Sequence, residues 1–219
     1  MNDFTGKTVL ITGDATGIGL AIARAFATAG AELVRHNLDV TLQSSVDDLA
    51  GSLSALDILV NCAGIIRRDE EFELPTFLSV LDVNLSGTMR MCMACKPLLG
   101  QSGGSIVNIA SVLSFFGGAR VPAYSASKGG IVQLTKSLAA AWAQDGIRVN
   151  AVAPGWIATP LTQALQDDPQ RSAAILARTP MGRWGQPDDV SGPVLFLCSR
   201  AAAFITGVVL PVDGGYLIS

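Results

Sequence analysis

The chain has 219 residues with a formal net charge of −3, 49% hydrophobic and only 15% charged residues. That length suits one domain with a sizeable core. The composition excludes a disordered chain, and the acidic balance excludes a nucleic-acid binder. Mean hydropathy of +0.43 raises the membrane question. The longest uncharged stretch, 97–119, is interrupted by Gly100, Gln101, Ser102, Gly103, Gly104 and Asn108, so it does not read as a spanning helix. Asp3 and Lys7 precede the first strand without a leader pattern. The expectation is a cytoplasmic protein with no membrane partner.

Strand and helix signals alternate along the chain. Thr8–Ile11 is a short branched apolar run, hence a buried strand, and Gly17–Ala29 has the helical period up to Gly30. Asp57–Val60 reads as a strand and Thr76–Leu99 as one long helix behind Pro75. Ser105–Ile109 is a strand, Tyr124–Gln144 a helix and Arg148–Val152 a strand. Lid material is expected over 156–180, then a helix at Pro187–Ser199 and a last strand at Val208–Val212. The alternation predicts a single α/β domain over 1–219, with a Rossmann-type doubly wound parallel sheet and helices on both faces.

One stretch breaks the pattern. Glu32-Leu33-Val34 is followed almost at once by Leu38-Asp39-Val40, whereas adjacent parallel strands need a crossover of about a dozen residues. Three explanations compete: a deleted βα unit, one strand over 32–40 with a polar middle, or residues missing from the sequence between 34 and 35. The third is preferred, because burying Arg35-His36-Asn37 would be costly.

Chemistry concentrates at strand ends. Thr12-Gly13-Asp14-Ala15-Thr16-Gly17-Ile18-Gly19 is a Gly-rich strand-to-helix turn, which lets a backbone approach a pyrophosphate at a helix N-terminus. Asn61-Cys62-Ala63-Gly64 closes the strand at 57–60, and Ser111 follows Ser105–Ile109. Tyr124 and Lys128, four apart, share a helical face. Cys92-Met93-Ala94-Cys95 lies in an apolar helical pattern and reads as packing; with a single histidine, no metal site is expected.

These motifs, with Asn84 and Pro154-Gly155, occur in the order that resembles the short-chain dehydrogenase/reductase family over nearly the whole chain. The resemblance implies that Tyr124 is the general acid/base, that Lys128 lowers its pKa and binds the nicotinamide ribose, that Ser111 holds the substrate oxygen, and that Asn84 holds a proton-relay water. Bringing a phenol from about 10 to about 7 takes roughly 4 kcal/mol. The resemblance also implies cofactor contacts at Gly13, Gly17, Ile18, Gly19, Asp39, Val40, Asn61, Ala63, Gly64, Pro154, Gly155, Ile157 and Thr159, besides Tyr124 and Lys128. Asp39 lies about 20 positions after Gly19, the spacing of a ribose-binding acid, although it also looks like the end of a third strand. Asp14 would repel a 2′-phosphate, which favours NAD, with NADP as the alternative.

Ile65-Ile66-Arg67-Arg68 after the NAG triplet looks like the gluconate/2-deoxygluconate (ketodeoxygluconate) dehydrogenase branch. Paired arginines suit a substrate carboxylate, although Asp69, Glu70 and Glu71 could balance them as a solvated pair. The expected reaction is hydride transfer between a nicotinamide cofactor and a secondary alcohol or ketone, a sugar acid or polyol. A 3-oxoacyl-thioester reductase is the alternative, suited by apolar Leu113, Phe115, Phe116 and Trp156; a nucleotide-binding, non-catalytic relative is the second. Family habit and the Met- and Ala-rich long helices imply a homotetramer.

Overall fold

A computed structural model describes residues 3–219. Six parallel strands form one sheet in the order β2-β1-β3-β4-β5-β6. They are β1 (Thr8–Thr12), β2 (Glu32–Leu33), β3 (Ile58–Asn61), β4 (Ser105–Ile109), β5 (Arg148–Pro154) and β6 (Val209–Val212). The central strands are continuous branched apolar runs because helices cover both faces. On one face α1 (Gly17–Thr28) and α8 (Pro187–Cys198) enclose a core that includes Ile22, Phe26, Val60, Val107 and Val194. On the other, α2 (Gln43–Ser52), α4 (Gly87–Ser102) and α5 (Pro122–Trp142) enclose Leu10, Leu59, Met91, Ile106 and Val149. The chain reverses direction across the sheet between β1 and β3, and the crevice beyond the carboxyl ends of such a pair is where α/β sheets bind ligands.

Two expectations change. The long helix predicted from Thr76 is divided: α3 (Leu74–Leu81) and α4 flank one π-helical turn, Asp82–Ser86. Apolar periodicity cannot register the extra residue of a π turn, which recurs at functional sites. The helix α2 was not anticipated, because Gln43–Ser52 is mostly polar and buries only Val46. The lid resolves into α6 (Gln163–Gln166) and α7 (Pro169–Ala177) after a 3₁₀ turn at Pro160–Thr162.

The irregular stretch runs along β1 as one extended segment. Val34 N donates to Val9 O at 2.9 Å, and His36 Nε2 lies 2.8 Å from Ile11 O. The segment then leaves the sheet for α2 without forming a further strand. Arg35 and Asn37 are exposed, so the polar middle is not buried and the objection to it falls away. The order 3-2-1-4-5-6 of a doubly wound sheet would place another strand beyond β2; here β2 is the free edge.

Candidate active site

The crevice begins where β1 ends. Thr12 Oγ1 accepts the N–H groups of Cys62 and Ala63 at 3.1 and 3.0 Å, tying the loops after β1 and β3 together. Gly13 has φ of 71°, and a Cβ there would stand 2.9 Å from Ala63 Cα. A Cβ on Gly19 would collide with Gly13 O. Neither position tolerates a side chain, so the turn keeps its backbone open. The N-cap Thr16 makes no side-chain bond to α1, which leaves first-turn N–H groups and the positive end of the helix dipole free. This cradle fits the pyrophosphate of a dinucleotide. Thr159 meets the turn from the lid, its Cγ2 3.3 Å from where a Gly17 Cβ would lie. Ile18 and Ile157 support the cradle from the core beneath, and Gly155 N bonds to Val212 O just past Pro154.

Across the crevice Ser111, Tyr124 and Lys128 converge. Ser111 caps a 3₁₀ turn, accepting from Leu113 N at 3.1 Å, while Ser114 Oγ donates to Lys128 O at 2.7 Å. The residue sequence reasoning missed here is Ser114, which locks the serine turn onto α5; the S-x-x-S spacing of a reciprocal cap was its signal. Lys128 is buried, its Nζ donates to Ile109 O at 2.6 Å, and the ammonium lies 5.6 Å from the Tyr124 ring centre. Gly64 leaves room in front of it: a Cβ there would lie 3.8 Å from Lys128 Nζ and 3.4 Å from Asn84 Oδ1.

The proton-bearing groups depart from expectation. Burial pushes the Tyr124 phenol up to about 12, against the opposing pull of the Ser111 hydroxyl and the Arg68 cation. Burial draws Lys128 down to about 8. Desolvation disfavours both charged forms at once, and so opposes the lowering expected of Tyr124.

Asn84 lies in the π turn and is 1% exposed. Its Oδ1 accepts from Ile65 N at 2.8 Å; its Nδ2 donates to Ile65 O at 3.0 Å and to Ser127 Oγ at 3.1 Å. Thr88 Oγ1 donates to its main-chain carbonyl at 3.0 Å. The Asn84 amide thus makes a two-point clasp on Ile65.

Three expected cofactor contacts turn elsewhere. The Asn61 amide donates to Asn108 Oδ1 at 2.9 Å and Cys92 Sγ at 3.3 Å, inside the sheet–helix core rather than in the crevice. Asp39 is exposed and accepts from Thr41 N and Oγ1 at 2.9 and 2.7 Å, a local turn that holds its carboxyl below the usual range. Val40 is buried, packed so closely on Gly87 that a Cβ there would sit 2.7 Å from it. The side chain that reaches the Gly-rich turn from this segment is His36, whose Nε2 is 3.8 Å from Asp14 Oδ1. Cys92 and Cys95 are free and buried in α4, and no group of three or more metal-ligating side chains occurs among the described residues.

The loop after Gly64 forms the outer wall. Arg67 is exposed; Arg68 is half-buried, donates to Leu161 O at 3.1 Å and forms no ion pair among the described residues. Asp69 pairs instead with Arg120. Glu71, expected in a solvated acidic run, is 1% exposed.

A family profile described as enoyl-(acyl carrier protein) reductase matches residues 36–217. The 2-dehydro-3-deoxy-D-gluconate 5-dehydrogenase of Bacillus subtilis (strain 168) is 43% identical, covering 97% of this chain and 95% of the relative. This chain belongs to the short-chain dehydrogenase/reductase family. It is accordingly an NAD(P)-dependent oxidoreductase with a Rossmann-type fold. The crystal structure of a gluconate 5-dehydrogenase from Burkholderia cenocepacia J2315, in complex with NADP and tartrate, superposes with a TM-score of 0.94 at 36% identity, covering 99% and 97% of the two chains. The 3-oxoacyl-[acyl-carrier-protein] reductase of Thermotoga maritima is 34% identical, covering 97% of this chain and 98% of that protein. The Bacillus alignment spans 241 positions, more than the 219 residues here, so the relative carries residues this dehydrogenase lacks. No helix of the described residues is long and apolar enough to cross a membrane.

Proposed function

We propose that this dehydrogenase interconverts a secondary alcohol and ketone on a sugar acid. The observation that carries the reading is Arg68, a half-buried guanidinium in no ion pair among the described residues, on a loop that Glu71 ties to the main chain of Tyr124. Burial lowers the Arg68 pKa, a penalty that a bound carboxylate would relieve. When bound, the dinucleotide supplies the acceptor or donor of hydride. Tyr124 takes the hydroxyl proton in oxidation and returns it in reduction; Ser111 holds the substrate oxygen beside the phenol. Lys128, reached past Gly64, binds the nicotinamide ribose, and a cationic ring nearby would favour the phenolate that burial opposes. Gly13, Gly17, Ile18 and Gly19 hold the pyrophosphate, with Ala63, Pro154, Gly155, Ile157 and Thr159 completing the wall.

A panel of sugar acids, polyols and 3-oxoacyl thioesters, followed by reduced-nicotinamide absorbance, tests the reading. Sugar acids should turn over best, and Arg68→Ala should raise their KM at least tenfold while leaving polyols unaffected. Equal KM values for sugar acids in both proteins would sink it. The thioester reading is favoured by the half-exposed Phe115 at the rim; preference for thioesters in the panel would establish it instead. Nucleotide binding without turnover of any member of the panel would point to a non-catalytic relative. We further infer a cytoplasmic homotetramer, supported by exposed Met93, Phe204 and Ile218; a monomer in light scattering would refute that state.

A further inference from the structure

The acidic side chain buried next to Tyr124 needs a reason to be there, since an ionised carboxylate in the interior is costly without strong partners. Glu71 Oε1 accepts from Arg67 N at 2.9 Å, and its Oε2 accepts from Tyr124 N at 2.8 Å. It forms no ion pair among the described residues. Tyr124 is the third residue of α5, and its N–H is one of the groups a helix cannot satisfy within itself. The local N-cap residue, Val121, has no side-chain acceptor. Glu71 supplies that acceptor from 53 positions upstream and places negative charge at the positive end of the helix.

The same loop is fastened twice more to the start of α5. Asp69 N donates to Arg120 O at 2.9 Å, and the Arg120 guanidinium pairs with the Asp69 carboxylate. Asp69 takes a left-handed conformation with φ of 70°, unusual for a residue other than glycine. The loop that carries Arg68 and the helical turn that carries Tyr124 are therefore one strapped unit, with Glu71 as its buried fastening. We propose that Glu71 is a positioning residue for catalysis: it sets the Tyr124 phenol against Arg68, so that substrate anchor and proton-transfer group keep a fixed separation. This rests on the assignment of Tyr124 as acid/base in the proposed function.

The test uses the full chain with Glu71→Gln, Glu71→Ala, Tyr124→Phe and the Glu71→Gln/Tyr124→Phe double variant. Glutamine keeps the shape but turns an NH₂ toward one of the two N–H donors, so it releases one tie; alanine releases both. The expected result is a kcat at least tenfold lower for Glu71→Gln and lower still for Glu71→Ala. The NADH dissociation constant, read by fluorescence titration, should stay within twofold, since Glu71 touches nothing in the pyrophosphate cradle. Amide exchange at Tyr124 should speed up in both variants. In the Tyr124→Phe background Glu71→Gln should cause no further loss, because groups that act as a unit are not additive. A kcat for Glu71→Gln within twofold of the parent would overturn the inference. So would an equal loss in the Tyr124→Phe background, or failure of both single variants to fold, which would make Glu71 a stability residue only. Full activity in Tyr124→Phe would instead remove the acid/base assignment.

Discussion

Removing the Asn84 side chain separates two accounts of that residue. As a relay, Asn84→Ala would abolish turnover and leave the fold untouched. As a clasp, it frees Ile65 N–H and C=O together, both held at 2.8–3.0 Å in the parent. Ser127 Oγ retains its bond to Tyr124 O at 2.7 Å, so it contributes little to the loss. An unsatisfied buried group costs about 1–3 kcal/mol, and Ile65 is only partly buried, so water can repay some of that. The expected loss is about 2–4 kcal/mol, a large part of a stability of about 5–15 kcal/mol. For a domain of this size that lowers Tm by about 4–16 °C. Thermal unfolding followed by circular dichroism, with steady-state kinetics on the same preparation, reads both quantities. Because the clasp holds the start of the loop that carries Arg68, KM for the acid substrate should rise along with the destabilisation. A variant that melts within about 1 °C of the parent yet has lost its kcat would refute the clasp and restore the relay.

Tyr124→Phe should reduce turnover by about 10²–10⁴, the range of general acid–base catalysis, while NADH binding by titration stays within twofold; retained turnover would dismiss the phenol. For cofactor choice, Asp14 and the nearby His36 face the turn where a 2′-phosphate would add negative charge. NADH should therefore bind at least tenfold tighter than NADPH, and Asp14→Asn should narrow that gap; tighter NADPH binding in the parent would reverse the choice. Alkali should unfold the protein early. Burial pushes Cys62 up to about 11 and Cys92, Cys95 and Cys198 up to about 12, from the ordinary thiol value of 9.0. The unfolded chain then loses thiol protons first, so this stability is intact below pH 9 and falls as pH rises through the folded values, by about 1.4 kcal/mol per unit per thiol. Lys128, lowered from 10.5 to about 8, acts in the opposite sense between those two values but is one group against four. Urea melts from pH 9 to 11 should show a falling midpoint, less steep in Cys92→Ala; a flat midpoint would contradict the burial argument.

The parts of the site that are contiguous in sequence were legible there. The Gly-rich turn, the NAG triplet and the Tyr–Lys pair each sit within one helical turn or loop, so spacing alone places them on an edge or a face. The branched apolar runs announce five of the six strands for the same reason. What stayed hidden depends on distant pairings. Glu71 reads as one of three acids in a polar run, and only the approach of α5, 53 positions on, makes it a buried cap. Asn61 reads as a crevice residue until Asn108 from β4 claims its amide. The π turn at Asp82–Ser86 was invisible because Leu81, Val83 and Leu85 fit a continuous helix as well as an interrupted one.

The departures are largest at the side of the crevice where β1 and β2 end. From Ser111 to Lys128 the expected residues converge on one crevice, with the Lys128 ammonium 5.6 Å from the Tyr124 ring centre. On the other side the sheet ends at a two-residue β2, the acid expected at ribose spacing is folded into its own turn, and a histidine lies against the glycine turn instead. Residues 34–36 follow β1 to its end, and the His36 imidazole lies 3.8 Å from Asp14 Oδ1. Reaction chemistry and cofactor discrimination are thus separable in this fold: substitutions at Asp14 or His36 should alter which dinucleotide binds, and substitutions at Glu71 or Asn84 should alter what is done with it. A single variant at either end that moved both quantities together would show the crevice to be one coupled unit.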